Sequence, residues 1–185
     1  LFDDVILRMD GCEINNHQDT NMIVHRSEVM VSDSILSDGQ GLGLYLGEKT
    51  VAKFYDCQFH RHVKAQMLIE NSKAEFRKCH VLNGLAVGMS IVDEADVSMT
   101  ECQIQNHQQF HIIVDASGLQ LHQSTIQLGQ SGGIYGNDHA KIMLDHTNIR
   151  ELERHHVYMN NARLFTQHCT FEQMKGYGIT CIDAI

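Results

Sequence analysis

The chain repeats itself eight times, at alternating intervals of 22 and 23 residues. One small side chain, here called the anchor, marks the equivalent position of each unit: Cys12, Ser34, Cys57, Cys79, Cys102, Ser124, Thr147 and Cys169. Internal repeats of this length are typical of solenoids, in which each unit buries its apolar surface against its neighbours. The repeat therefore constrains the fold more strongly than the composition does.

Apolar residues recur at fixed distances from each anchor. In the fifth unit they include Ile104, Ile112 and Val114, at the second, tenth and twelfth positions after Cys102. Apolar positions two residues apart predict short β-strands rather than helices. Residues that tolerate a left-handed bend follow the anchor at the fourth position; they are Asn16, Asp38, Asn83 and Asn106. Three short strands per unit predict an all-β fold, a parallel β-helix of eight coils.

The spacing also resembles a known family. The pattern V-x-M-x-x-C-x-I at residues 97–104, followed by N-x-x-x-x-x-I-x-V at residues 106–114, is similar to the right-handed parallel β-helix repeat. Pectate-lyase-like enzymes share this repeat with carbohydrate-binding and sugar-hydrolase domains and with non-catalytic recognition modules. The resemblance implies a right-handed solenoid but leaves the function open. We find no match to the calcium-binding aspartates and catalytic arginine of the lyases.

Composition excludes some classes of partner. The formal net charge is −9, with 14 Lys and Arg among 185 residues, and such a surface does not suit nucleic acids or anionic membranes. No apolar run approaches about 18 residues, so we expect no membrane-spanning helix. The repeat predicts one domain over residues 1–185. Because the first residue is Leu1, we expect this domain to be part of a larger cytoplasmic protein.

Cysteine is the most frequent anchor residue. Cys57, Cys79 and Cys102 occupy the same inward position in consecutive coils, where Ser34 and Ser124 also occur. The expected spacing of the coils does not exclude an oxidised pair, but small buried thiols explain the whole column. We therefore expect free thiols and a reducing compartment. No cysteine has an obvious activating base beside it.

Histidine alternates with glycine along two columns. At the fifth position odd coils carry His17, His62 and His107, and even coils carry Gly39, Gly84 and Gly129. At the ninth position odd coils carry Asn21, Gln66, His111 and His156, and even coils carry Gly43, Gly88, Gly133 and Gly178. We predict that the ninth position points outward. The alternation is explained by packing, because adjacent strands are too close for bulky residues in every coil.

The same spacing argues against a metal centre. Histidines of one column in alternate coils lie about 9.6 Å apart, twice the strand separation, which is too far for one zinc ion. His146 and His168 stack in adjacent coils and form at best a weak site. We therefore expect neither a metal nor another cofactor.

A second outward column is predicted at the eleventh position, where six of eight residues are large. It reads Ile23, Tyr45, Leu68, Ser90, Ile113, Tyr135, Tyr158 and Thr180. With neighbouring outward residues it forms a predicted binding surface, which comprises Tyr45, His111, Ile113, Asp115, Tyr135, His156 and Tyr158, flanked by Asn137 and Asn160. Exposed tyrosines beside amides suit a protein interface or a sugar. Another segment of the full-length chain covering the surface is a third interpretation.

Catalysis at this surface is possible but not favoured by the spacing. Glycoside hydrolysis needs two carboxylates about 5–9 Å apart, whereas Asp115 and Glu70 are expected about 9.6 Å apart. His111 or His156 could serve as a general base oriented by Asp115.

We therefore expect a non-catalytic recognition domain that binds a protein partner or adjoining domains of the same chain. Glycan binding or processing is the alternative. No amphipathic capping helix stands at either end, so self-association through exposed strand edges is also expected.

Overall fold

The computed structural model describes residues 5–183 and shows 24 β-strands in three parallel sheets. Each of the eight coils contributes one strand to each sheet, so the sheets run side by side along the molecule. No helix within the described residues is long and apolar enough to cross a bilayer. The predicted all-β solenoid is confirmed.

The strands of each sheet are short and follow one another in coil order. The first sheet contains β1 (Ile6–Asp10), β4 (Glu28–Ser32), β7 (Val51–Tyr55), β10 (Lys73–Arg77), β13 (Asp96–Thr100), β16 (Gly118–His122), β19 (Lys141–Asp145) and β22 (Arg163–Gln167). The second contains β2 (Glu13–Asn15), β5 (Ile35–Ser37), β8 (Gln58–His60), β11 (His80–Leu82), β14 (Gln103–Gln105), β17 (Thr125–Gly129), β20 (Asn148–Leu152) and β23 (Thr170–Met174). The third contains β3 (Met22–His25), β6 (Leu44–Gly47), β9 (Met67–Glu70), β12 (Met89–Val92), β15 (Ile112–Asp115), β18 (Gly132–Asn137), β21 (His155–Asn160) and β24 (Tyr177–Ile182).

Equivalent positions of successive coils pair directly. Ala52 pairs with Ala74 and Ala74 with Val97, while Tyr135 pairs with Ile113 on one side and Tyr158 on the other. Residues at the same distance from their anchors therefore stack on one another along the solenoid.

The core is the stack of inward side chains from all three sheets. Phe54, Phe59 and Phe76 are fully buried, and the rings of Phe54 and Phe76 stack with centroids 4.9 Å apart. Phe59 contacts both of them edge-on. Burial of one such aromatic side chain contributes about 1.5–3 kcal/mol, so a core continuous over eight coils can offset the entropy of ordering a chain with so many turns.

The anchors have a chemical role as well as a packing role. In every coil the anchor side chain donates a hydrogen bond to the carbonyl oxygen two residues earlier, as Ser124 does to His122 at 2.9 Å and Cys57 to Tyr55 at 3.2 Å. The intervening residue has a positive φ, for example 48° at Gln123, which turns the chain from the first sheet into the second. The column therefore selects short side chains that carry an O–H or S–H group.

The cysteine anchors are free thiols, as predicted. Cys57, Cys79 and Cys102 are at most 3% exposed and stack in consecutive coils. The thiols of Cys102 and Cys57, together with burial, raise the pKa of Cys79 far above its ordinary value. A thiol held neutral in this way is a structural group and a poor nucleophile.

The polar residues of the ninth position point inward, so the prediction that His111 and His156 face solvent is wrong. His111 is 0% exposed and His156 is 2% exposed. His111 precedes β15, whose first residue Ile112 is also buried, and His156 lies in β21 directly before the buried Val157, so inward and outward side chains do not alternate at this position. Two consecutive residues at the turn into the third sheet therefore face the interior.

These inward polar side chains bridge a turn in the next coil. Each reaches the carbonyl oxygen three residues after the next anchor: Asn21 donates to Ser37 at 2.8 Å, and Gln66 donates to Leu82 at 3.1 Å. The Nε2 atoms of His111 and His156 lie 3.0 Å from the carbonyl oxygens of Gln127 and Glu172. Because each bridge reaches into the following coil, only every second coil needs one. This contact explains the 45-residue double repeat.

Glycine in the even coils makes room for the bridges. A Cβ atom on Gly129 would lie 2.3 Å from Cε1 of His111, and one on Gly84 would lie 2.5 Å from Cδ2 of His107. The large–small packing inferred from the sequence is thus confirmed, although it operates inside the solenoid.

His62 and His107 fill the buried space beside these bridges. The Nδ1 atom of His62 contacts the side-chain oxygen of Gln66. His107 is 1% exposed, and neither of its ring nitrogens has a hydrogen-bond partner among the described residues. Burial lowers the pKa of His107 to about 3, with a further contribution from nearby His111, and burial lowers the pKa of His111 to about 4. Both imidazoles are therefore neutral at physiological pH.

The glycine column gives a direct test of the packing. In a Gly88→Ala variant the new Cβ would lie 2.5 Å from the backbone oxygen of His111, so two coils must shift and we expect a loss of about 1–3 kcal/mol in unfolding free energy. Gly178 occupies the same column, but a Cβ atom there would meet no neighbouring atom within 4 Å, and Gly178→Ala should be neutral or slightly stabilising. Urea denaturation of both variants measures the difference; equal effects would contradict it.

The buried histidines predict a specific loss of stability in acid. His107 has a pKa of about 3 when folded and about 6.5 when unfolded, so only the unfolded chain binds a proton between these values. Stability is thus complete above pH 6.5 and falls as the pH drops towards 3, by on the order of a few kcal/mol for this residue.

A His107→Leu variant should show a shallower loss of stability over that range and equal or higher stability at pH 7, because an unpaired buried polar group is removed. His139→Gln, a change at an exposed histidine, should retain the original slope. Chemical denaturation at several pH values provides the measurement, and an unchanged slope in His107→Leu would refute the assignment.

Candidate functional site

The outward side of the third sheet carries a stack of aromatic rings, here called the aromatic face. It consists of Phe110, Tyr135, His155, Tyr158 and Tyr177. The rings of Tyr135 and Tyr158 stack at 5.5 Å with an interplanar angle of 26°, and those of His155 and Tyr177 stack at 5.7 Å and 23°. Because each ring contacts at least one other ring along the solenoid, the rings support one another.

Strand pairing explains why the rings meet. Tyr135 and Tyr158 are direct partners in adjacent strands β18 and β21, where side chains on one face lie about 5 Å apart. Phe110 stands over Gly132, where a Cβ atom would lie only 2.2 Å from the ring, and its centroid is 5.6 Å from that of Tyr135. Because Gly132 in the sixth coil has no side chain, the Phe110 ring can occupy this space.

A row of polar side chains runs beside the aromatic face. Asn160 donates to Asn137 at 2.9 Å, and Asn137 donates to Asp115 at 3.5 Å. All three are half-buried. The row fixes the amide orientations, so the remaining donors and acceptors of this row are presented to solvent in a defined arrangement.

The structure separates the residues predicted to form one surface. Ile113, Asp115, Tyr135 and Tyr158 lie together on the outward side, and Ile113 pairs with Tyr135. Tyr45 belongs to the same column but lies three coils before Ile113. Its hydroxyl donates to Glu70 at 2.6 Å, and this bond, with burial, raises the pKa of Tyr45 to about 12.

His111 and His156 lie beneath the strand ends and are absent from this surface. The acid–base pairs considered from the sequence therefore do not form, since Asp115 lies beside Asn137 rather than beside an accessible histidine. Glu70, the other carboxylate of the column, accepts a hydrogen bond from Tyr45.

Three members of the aromatic face were missed from the sequence. Phe110, His155 and Tyr177 share the eighth position after their anchors, just before or at the start of a third-sheet strand. The signal in the sequence is a large ring at this position in the fifth, seventh and eighth coils, with Gly132 in the sixth. The eighth position was not among the columns from which the binding surface was predicted.

Metal-ligating side chains come together elsewhere in the described residues, at His122, Asp145 and His146. They lie on the outward side of the first sheet and at the turn after it. Desolvation acts to raise the pKa of Asp145, but hydrogen bonds from His146 and His122 outweigh it and lower that pKa below its ordinary value. The sequence had indicated only the pair His146 and His168.

Comparisons with known proteins address the fold. No curated protein matches the chain. The catalytic domain of Agl-KA is similar at 6% identity and a TM-score of 0.31, over 89% of this chain and 53% of that one. QnrB1, a plasmid-mediated fluoroquinolone resistance protein, is similar at 10% identity and a TM-score of 0.25, over 90% of this chain and 89% of that one. The chain therefore spans about half the length of the Agl-KA domain.

A family match agrees with the three parallel sheets. Residues 1–126 and 68–184 match the family described as a right handed beta helix region. Since these two segments together span almost the whole sequence, the protein belongs to the right-handed β-helix family.

Proposed function

We propose that this domain is a non-catalytic recognition platform that binds a protein partner through the aromatic face. The observation that carries the proposal is the mutual stacking of Tyr135 and Tyr158 beside the hydrogen-bonded row of Asp115, Asn137 and Asn160. Side chains held in this way lose little conformational freedom on binding, and pre-organisation of this kind increases affinity.

The residue types favour a protein partner. Tyrosine is enriched at protein interfaces and among the residues that dominate binding energy. Stacked tyrosines in adjacent coils suit an interface that packs across several coils. A sugar ring stacking through its C–H groups would need an open aromatic face, and Tyr135 and Tyr158 each direct one of their two faces at the other.

Charge on one border indicates the chemistry of the partner. The turns that follow the third sheet in the fourth and sixth coils carry exposed Asp93, Glu94 and Asp138. In the fourth to seventh coils these turns contain no Lys or Arg. A partner surface that combines apolar or aromatic residues with Lys or Arg would be complementary, and the net charge of −9 would speed their encounter.

Glycan binding is the second candidate. It is favoured by the polar row, because fixed amide and carboxylate groups beside aromatic rings can bond to sugar hydroxyls. A glycan and a protein would use the same residues, so the ligand class rather than the surface distinguishes them.

Removal of the stacked tyrosines should abolish partner binding without unfolding the domain. We expect Tyr135→Ala with Tyr158→Ala to weaken binding by at least about tenfold, as for central interface residues, since both side chains are half-buried on the outside. The partner would be captured from a cell extract, purified, and titrated against each variant by calorimetry.

Tyr55→Ala is a matched control, because Tyr55 is also half-buried but belongs to the first sheet. Equal losses in the control and the double variant would refute the aromatic face as the interface. The glycan alternative would replace the proposal if the original domain binds purified oligosaccharides, the double variant does not, and no protein partner is found whose binding depends on Tyr135 and Tyr158.

A further inference from the structure

A group of histidines surrounds one aspartate on the first sheet, away from the aromatic face. Asp145 lies at the end of β19, its neighbour His146 occupies the following turn, and His122 ends the adjacent strand β16. His122 and Asp145 are direct strand partners. Three positions from two consecutive coils thus converge at one carboxylate.

The distances within this group are short. The Nδ1 atom of His122 lies 2.8 Å from Oδ2 of Asp145, and the Nδ1 atom of His146 lies 2.8 Å from Oδ1. One potential ligand atom from each of the three residues lies within 4.8 Å of the others. The His168 ring packs on that of His146, with centroids 4.5 Å apart, and so restricts its movement.

We propose that His122, Asp145 and His146 form a binding site for a divalent transition-metal ion, with zinc as the best match. Imidazole nitrogen with one carboxylate suits zinc, copper or nickel, whereas calcium and magnesium prefer oxygen ligands alone. Three protein ligands leave a fourth tetrahedral position for water or an external ligand, as in open zinc sites.

The geometry needs only small adjustments to hold the ion. Zinc–ligand bonds of about 2.1 Å place tetrahedral ligand atoms about 3.4 Å apart, so each imidazole nitrogen, now 2.8 Å from a carboxylate oxygen, would move away from it by roughly half an ångström. The ligand atoms of the whole group, which lie within 4.8 Å of one another, would adopt that same separation. The side chains of His122, Asp145 and His146 are 45%, 41% and 52% exposed, which permits that movement. The two strand-end residues are fixed by the backbone pairing of β16 with β19.

An open depression adjoins the site. It has a volume of about 720 Å³, and His122 and Asp145 line it together with Gln120, Met143, Phe165 and Gln167. Phe165 and Met143 are 51% and 41% exposed. The site is thus reachable from solvent beside an apolar surface, so the ion is expected to exchange freely with chelators and to accept an external ligand.

The site is independent of the aromatic face and can be tested separately. The protein, treated with a chelator and kept reduced, would be titrated with zinc by calorimetry and with cobalt by absorption spectroscopy. We expect one ion per chain, and His122→Gln, His146→Gln and Asp145→Asn should each weaken binding by at least about 10–100-fold, because that loss already follows removal of a group that only supports a ligand.

His139→Gln is the matched control, because His139 also contacts a neighbouring aspartate, Asp138, at 3.1 Å but lies outside the group. It should bind zinc with unchanged affinity. Circular dichroism checks that each variant keeps the fold. The proposal is overturned if zinc does not bind, if the three site variants bind as tightly as the control, or if the cobalt spectrum shows thiolate charge transfer, which would assign the ion to cysteine.

Discussion

In-register parallel pairing places every side chain against its equivalent in the coils above and below, about 4.8 Å away along the ladder. The same constraint produces contacts with very different chemistry. It stacks Phe54 on Phe76 in the core at 4.9 Å, Tyr135 on Tyr158 outside at 5.5 Å, and His146 on His168 at a turn at 4.5 Å. The core, the aromatic face and the group of histidines around Asp145 are therefore consequences of one backbone geometry.

Where the interior is narrow, large side chains cannot occupy the same position in every coil. At the turn between the second and third sheets the chain alternates a polar bridge with glycine, as in His111 between Gly88 and Gly133. The bridging side chain hydrogen-bonds a backbone carbonyl oxygen of the following coil, and the glycine leaves space for that side chain. Two coils, rather than one, are consequently the structural unit at this turn, and a bulky residue in an even coil would disturb the bridge of its neighbour.

Most of the fold could be predicted because its signals are local and repeated. The apolar positions define the strands, and Asn16, Asp38, Asn83 and Asn106 do have the positive φ values, 56–61°, that their residue types suggested. The prediction failed at the ninth position because two consecutive residues there face the interior, before the strand as at His111 or inside it as at His156. His111 and Ile112 are consecutive and both buried, and a rule of period two cannot describe that junction.

The site was less predictable because it depends on neighbouring columns. A search along single columns found Tyr135 with Tyr158 and His146 with His168, and these pairs do stack. It missed His122 and Asp145, which share the column one residue before that of His146, and Phe110 and His155, which share the eighth position after the anchor. Contacts between columns depend on side-chain direction at a turn, and a linear spacing does not specify that direction.

The solenoid separates stability from surface chemistry. Inward columns set the core, whereas His122, Asp145, Tyr135 and Tyr158 point outward from strands whose opposite faces carry the buried residues. A substitution outside alters one position of a ladder and leaves the backbone hydrogen bonds between coils in place. The first and third sheets are different sides of the same coils, so the group around Asp145 and the aromatic face share no residues. The two proposed sites can therefore be altered separately by substitution.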